Sequence, residues 1–373
     1  MSWRKTPHWR RLLHDQNRDT PLPIPHIELF CIGNAIVDWF VFNADAKKLD
    51  ELGITAPVQH IPRDLAQRIL EDDGLMAGST WCSGGGATNV AKIAAMLGIK
   101  TAFAGCVGTQ DGNAGFFKIG LDDAGVVSFL KKGKERNGLC FFFYCGGRTR
   151  IAASPGAALE FTEADVSEDL IAAAGAIVLD GYMLDRRPLV QHIMQLAGSR
   201  GIPVALDAAS VFQVREKTEA ILHYSRNYPL IIFMNADECI IFYNTVKKGT
   251  AAAVGIDALG EREKETLILG EICPVLKCMT EGDIFPVIVI KLGGRGAVVL
   301  AGGNIYSEET LTIIPRNTVG AGDAFCAAFI SAWIRGKPVR ECAALGNKVA
   351  REVLAVTGTR VKADRLMPFA KML

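Results

Sequence analysis

Short apolar runs alternate with helix-patterned stretches along most of this chain, and that alternation limits the fold more than any other feature. IELFCIG (27–33), TAFAGCVG (101–108), AIVLDGY (176–182), PVALDAA (203–209) and LIIFMNADE (230–238) each read as a buried strand. Between them lie helical patterns at 63–72, near 114–124 and at 187–200. The sharpest is ATNVAKIAAMLG, with Val90, Ile93, Ala94 and Leu97 on one face and Gly98 as its stop. A β–α–β–α rhythm favours a parallel sheet. Residues 286–300 read as strand, glycine turn, strand, and helices are expected near 320–335 and 338–358. Residues 247–282 read as helical, charged and poor in aromatics.

Residues 126–153 break the rhythm. VVSFLKK, LCFFFYC and GGRTRIAA, separated by GKERNG and a glycine pair, read as strand–turn–strand–turn–strand. This patch is too apolar to face water alone. It is expected to pair with strands at 36–43 and about 55–61 as a small sheet covering something.

A chain of 373 residues makes either one large α/β domain or two ordinary ones. Its 41 Lys+Arg and 40 Asp+Glu leave a net charge of +1, without the basic excess of a protein that binds nucleic acid by neutralising phosphates. The ten cysteines mostly sit in apolar runs, with no C-x-x-C and no zinc-finger spacing, and read as buried thiols of a cytoplasmic protein. Cys273 and Cys278 are spaced for a metal, but no second pair accompanies them. The first 26 residues are basic and end in TPLPIPH. They lack the apolar stretch of a secretory signal and are read as a surface extension. No run is long and apolar enough for a membrane span, so no membrane partner is expected.

Two glycine-rich segments carry the chemistry. In Asn317-Thr318-Val319-Gly320-Ala321-Gly322-Asp323 small residues precede a helix, so backbone N–H groups and the helix dipole converge on an anion. Asp323 falls in the first helical turn. It is either a partner of the dipole or a general base beside the anion cradle. Gly84-Gly85-Gly86-Ala87-Thr88-Asn89 is either a tight turn with a helix start or a place where backbone and the Asn89 amide meet a polyhydroxylated ligand. Neither a G-x-x-x-x-G-K-[ST] loop nor a dinucleotide fingerprint is present.

Gly33-Asn34-x-x-x-Asp38, GGGATN at 84–89, Gly105-x-x-Gly108-x-x-Asp111-x-x-x-Gly115, Asn235-x-x-Glu238 and NTVGAGDAF at 317–325 stand in the order of the ribokinase/PfkB-type carbohydrate kinases, which the chain resembles over about 28–362. The resemblance implies a three-layer α/β/α sandwich with a small β-sheet lid, its strands drawn from about 36–61 and 126–153. Residues 27–373 would form the kinase domain. It also implies an enzyme that moves phosphate from ATP, with Mg²⁺, to the alcohol group of a sugar or nucleoside. Asp323 then matches the family's catalytic base, and the backbone N–H groups of Gly320, Ala321 and Gly322 match its anion hole. Asn235 and Glu238 match an element that helps place Mg²⁺ through water, although the same pair also suits a helix cap. Asp38 resembles the lid-side acid that binds sugar hydroxyls. Asn34, Gly85, Gly86 and Asn89 resemble further substrate contacts. Lys291, Gly293, Gly294 and Gly296 resemble a nucleotide-binding turn, with Thr318 and Asn347 added on the nucleotide side. Lys291 also reads as an ordinary strand-end charge. Arg148 and Arg150 on the lid either touch substrate or are solvated.

Three departures stand out. Asn317 replaces the usual Asp, removing a negative charge near the phosphates and metal. LDAASVFQV (206–214) replaces a common Asp-Pro-Asn or Asp-Pro-Phe stretch, and 247–282 is longer than usual. Asp180-Gly181-Tyr182 and CAALGNKVAREVLAVTG favour the adenosine-kinase-like branch. A ribose or fructose kinase is the alternative, and a non-catalytic ligand sensor on the same scaffold is another. The apolar lid strands, Phe141 to Tyr144 among them, suggest base stacking or a homodimer through the lid.

Overall fold

The computed structural model describes residues 26–109, 112–247, 256, 259–281, 284–356 and 361–373. The N-terminal extension up to 25, Asp111 and parts of the 247–282 stretch lie outside the described residues. In chain order the strands are β1 (Ile27–Ile32), β2 (Ile36–Val41), β3 (Val58–His60), β4 (Thr80–Gly84), β5 (Thr101–Gly108), β6 (Val127–Gly133), β7 (Gly138–Cys145), β8 (Arg148–Ser154), β9 (Ala174–Asp180), β10 (Val204–Asp207), β11 (Leu230–Asn235), β12 (Val287–Lys291), β13 (Ala297–Ala301) and β14 (Asn304–Glu308). Four helices matter for the site: α1 (Gly86–Met96), α2 (Ala236–Val246), α3 (Ala321–Ile334) and α4 (Val339–Leu354).

Nine strands form the main sheet in the order β14-β13-β12-β11-β10-β9-β1-β5-β6. It is parallel from β12 to β6, and β13 runs antiparallel between β12 and β14. Side chains alternate between the faces with period two. Leu29, Cys31, Ile231 and Phe233 point into one apolar layer with α1, α3 and α4. Phe30, Ile32, Leu230 and Ile232 point into the other, with helices Arg187–Ser199, Val211–Asn227, α2 and Cys273–Glu281. The result is an α/β/α sandwich. Helix α3 is apolar on every side, which suits burial rather than a surface position. It packs against both α1 and α4, where Gly346 leaves room for the Phe325 ring: a Cβ there would lie 2.8 Å from it.

The second sheet has five strands, in the order β3-β8-β7-β2-β4. Val37, Val41, Phe141 and Phe143 on its back face are covered by the chain's own helices Ala46–Glu51 and Arg63–Leu70, through Leu49, Leu65 and Ile69. The apolar face that suggested pairing between subunits is therefore used internally. The front face carries Asp38 and Phe40 from β2 and Phe42 just beyond it, with Cys140, Phe142 and Tyr144 from β7. Phe40 stacks on Phe142 at 5.1 Å and Phe42 on Tyr144 at 5.3 Å. Val319 of the glycine loop packs against this face.

The lid differs from expectation in two strands. Val127–Gly133 belongs to the main sheet, paired in parallel with β5, and is not a lid strand. Only four residues join it to β7, so it reads as half of a hairpin, yet those residues carry the chain from one sheet to the other. Gly138 makes the crossing possible: a Cβ there would sit 2.6 Å from the Pro155 carbonyl oxygen. Conversely, Thr80–Gly84 supplies a lid edge strand that its short, polar sequence hides. The charged stretch is helical at Glu261–Leu267 and Cys273–Glu281, joined by a π-helical turn. All ten cysteines are free thiols, most of them buried, with Cys140 half-buried and Cys278 exposed. Among the described residues no cluster of His, Cys, Asp and Glu could hold a metal, Cys273 and Cys278 included, and no helix is long and apolar enough to cross a membrane.

Candidate active site

The carboxyl ends of the parallel strands open on one edge of the sheet, where α/β folds place their ligands. Helix α3 starts there. Gly320 is its N-cap with φ +79°, a left-handed conformation that any side chain would strain. Ala321 N donates to the Thr318 carbonyl at 3.4 Å, whereas the helix start leaves the first-turn N–H groups of Gly322 and Asp323 without an intrahelical acceptor, the usual setting for an anion. Ahead of the turn, Asn317 is buried, and its Oδ1 accepts the Val319 N–H at 2.6 Å while Nδ2 donates to the Val356 carbonyl at 3.5 Å. An Asp accepts the first bond but cannot make the second. The departure at 317 thus has a local structural role. Thr318 is exposed at the mouth of the loop.

The second glycine segment approaches from the lid. Gly85 has φ +93°, and a Cβ would lie 2.4 Å from the Asn34 carbonyl oxygen. Gly86 lies between two acids, its virtual Cβ 3.4 Å from Asp180 Cβ and 3.6 Å from Asp323 Oδ1. One turn into α1, Asn89 Nδ2 donates to Asp323 Oδ2 at 2.8 Å. The two glycine segments therefore converge on one carboxylate. Burial pushes Asp323 up to about 6; Asp207 adds to this, while the Asn89 amide and Lys291 oppose it.

Asp38 enters from lid strand β2, in register with Cys82 on one neighbour and Cys140 on the other. It is buried and lies over Gly84, whose Cβ would collide with its carboxylate. Burial pushes Asp38 up to about 7, against the pull of the Lys92 ammonium and with a push from Asp323. Lys92 on α1 donates to the Ser83 carbonyl and to Ser83 Oγ.

The nucleotide-side expectations divide. Asn235 and Glu238 form a full capping box at the start of α2: Glu238 Oε2 accepts from Asn235 N and Oε1 from Asn235 Nδ2, both at 2.8 Å, while Asn235 Oδ1 accepts from Glu238 N at 2.9 Å. Burial pushes Glu238 up to about 7, with Lys291 opposing. Lys291 does not join the glycine turn that follows it. Its Nζ donates to Asp207 Oδ2 at 2.5 Å and lies 3.2 Å from where a Cβ on Gly322 would be, so the ammonium rests on the anion loop. Burial alone would lower it, but Asp207 and Glu238 outweigh that and hold it above its ordinary value. Gly293, Gly294 and Gly296 form the tight β12–β13 connection. Gly296 has φ +94° and packs on the Glu308 carbonyl, and the Gly294 carbonyl accepts from Thr312 Oγ1 at 3.1 Å. Asn347 on α4 donates to the Glu308 and Glu309 carbonyls, fixing the exit of β14. Arg150 pairs with Asp50 and the Ile54 carbonyl within the lid.

Two acids that the sequence reading noted only within longer stretches, without a site role, also stand here. Asp207 ends β10, and its Oδ1 accepts from Ala209 N at 3.3 Å. Ala209 itself has φ +67° in a tight turn closed by Ser210 N donating to the Ala208 carbonyl, a strained conformation of the kind found at functional sites. Asp180, at the end of β9, is buried and pushed up to about 6 by that burial, with Arg186 opposing. A position at the carboxyl end of a parallel strand was the available signal for both acids.

The glycine loop at the start of α3, the carboxylate of Asp323 and the lid face one another at this edge of the sheet. Residues 52–365 match the model of the pfkB family of carbohydrate kinases. The adenosine kinase of Schizophyllum commune is 23% identical over 353 residues, 90% of this chain and 97% of that protein. Two solved structures align with this fold at 24% identity. A probable sugar kinase from Rhizobium etli has a TM-score of 0.77, covering 94% of this chain and 99% of its own. An adenosine kinase from Sinorhizobium meliloti has a TM-score of 0.76, covering 93% and 99%. With the family model spanning most of its length and the same two-sheet architecture beneath it, this chain belongs to the pfkB carbohydrate kinases and is a carbohydrate or nucleoside kinase.

Proposed function

We propose that the protein transfers the γ-phosphoryl group of ATP to a hydroxyl of a nucleoside, with Asp323 as general base. The observation that carries this is the meeting of Asn89 and Asp323 beside the α3 N-terminus, which leaves a carboxylate next to an anion cradle. Asp323 takes the proton of the acceptor hydroxyl as that oxygen attacks phosphorus. Raised to about 6, it is ionised at neutral pH yet a stronger base than an ordinary Asp. The N–H groups of Gly320, Ala321 and Gly322 take up charge growing on the transferred group, where one such donor is worth about 3–4 kcal/mol. The Lys291 ammonium, held on the loop by Asp207, adds a fixed positive charge.

Glu238, with Asn235, suits a Mg²⁺ ion held through water. Both its oxygens are already bonded to Asn235, and a hard cation that keeps several waters needs few protein ligands. When bound, ATP with Mg²⁺ supplies the electrophilic phosphoryl group. Asp38, Asn34, Gly85 and Gly86 line the acceptor side, and the lid's front face excludes water that would otherwise compete as acceptor.

A nucleoside is favoured over a plain sugar because that front face presents two stacked aromatic pairs, Phe40–Phe142 and Phe42–Tyr144, which suit a planar base better than a second ring of hydroxyls. ADP formation from Mg-ATP across nucleosides, ribose, fructose and acidic sugars tests the proposal. The expected result is the highest kcat/KM with a nucleoside. A preference of tenfold or more for a free sugar would contradict the nucleoside reading, and binding without ADP formation would contradict the kinase mechanism.

A further inference from the structure

Arg186 belongs to none of the glycine segments, yet its guanidinium lies where lid and core meet. Nη2 donates to Asn34 Oδ1 at 2.6 Å, and Nη1 donates to the Ala158 carbonyl at 2.7 Å. Asn34 stands in the short crossing from core strand β1 to lid strand β2, and Ala158 just after the chain returns from lid strand β8. One side chain therefore joins two of the passages between the sheets.

The polarity of this bond matters. A guanidinium only donates, so the atom of Asn34 facing it is the amide oxygen, and the NH₂ group is turned the other way. Asn34 then offers donors alone to whatever lies on its open side. Next to it, Asp180 offers the complement. It is 4% exposed, accepts the backbone N–H groups of Met183 and Ala87, and keeps Oδ1 without a partner. Arg186 Nε is likewise buried and unpartnered.

We propose that Arg186 is a positioning residue for the acceptor: by holding the Asn34 oxygen it presents the Asn34 NH₂ to a lone pair of the acceptor's sugar ring, a hydroxyl oxygen above all, and ties that contact to the lid–core crossing. The inference rests on the reading that Asn34 meets the acceptor. A Lys in place of Arg186 reaches one of the two carbonyl oxygens but has no planar fork to hold both. Removing the fork frees the amide to turn, and recognition of the hydroxyl is lost while the phosphate side is untouched.

The test is kinetic. Wild type, Arg186→Met and Arg186→Lys are assayed with Mg-ATP on adenosine and D-ribose, each beside its 2-deoxy and 3-deoxy analogues. Wild type is expected to discriminate against at least one deoxy analogue by about 100-fold in kcat/KM, since a buried amide left unpaired is costly. Both variants should narrow that ratio to below about tenfold, mainly through loss on the parent compound, with KM for ATP within about twofold of wild type. Equal losses on parent and deoxy compounds, with the ratio preserved, would overturn the proposal, because that is what general destabilisation produces. If the Met variant melts below the assay temperature, the Lys variant carries the same comparison. A wild-type protein that phosphorylates none of these compounds overturns the proposed function itself, and the inference with it.

Discussion

The side-chain amide of Asn89 donates to Asp323 Oδ2 at 2.8 Å, across 234 residues of sequence. It joins the start of α1, which arrives from the lid, to the start of α3, which carries the anion cradle. Because a donated hydrogen bond favours the ionised carboxylate, Asn89 sets the charge of the proposed base as well as its position.

Asn89→Ala should therefore raise the Asp323 pKa above its present value of about 6. The acid limb of kcat/KM should move up by about half to one pH unit, and activity at pH 6 should fall by more than activity at pH 8. A pH–rate profile of the free enzyme reads this directly. An unmoved acid limb with a uniform loss would mean the amide only positions substrate.

Asp38 carries a different consequence. Its ordinary value of 3.8 is raised to about 7 by burial, so the folded state holds the proton more tightly than the unfolded chain. Stability from this group falls as pH rises between those values, and the penalty is complete above about pH 7. Asp38→Asn should raise the melting temperature at pH 8 by at least about 2 °C, with the gain shrinking toward zero by pH 4. The same change should weaken the acceptor KM. A melting temperature that drops at pH 8 and recovers toward pH 4 would show instead that the Asp38 charge stabilises the lid.

Asn317→Asp restores the residue usual in the family and removes the donor to the Val356 carbonyl. The expected cost is about 1 kcal/mol of stability, read by chemical denaturation, together with a looser glycine loop. Unchanged stability with a tighter apparent Mg²⁺ requirement would instead assign this position to the metal.

Much of this arrangement was legible because it depends on backbone chemistry. Gly85 and Gly320 occupy positive φ, and only glycine relieves that strain, so both segments announce themselves in sequence. The parallel core was equally plain, since strands buried on both faces must be apolar throughout. Long-range partners were not. Arg186 lies in LDRRP, where nothing local shows that its fork reaches Asn34, 152 residues earlier. The capping box of Asn235 and Glu238 follows from a three-residue spacing, whereas the bond from Lys291 to Asp207 spans 84 residues and depends on the order of strands. Sheet membership was hidden for the same reason. The connection from β6 to β7 is as short as a hairpin, and only tertiary packing sends its two strands into different sheets.

The proposed mechanism depends most on Asp323 acting as the base. Asp323→Asn keeps the shape and the bond-accepting oxygen at the start of α3 but cannot take a proton near neutral pH. Single-turnover phosphorylation at pH 8 with Mg-ATP and the best acceptor is the decisive measurement. The expected result is a fall of about a thousandfold or more in rate, with an unchanged fold and ATP bound as in wild type. A rate within tenfold of wild type would contradict it.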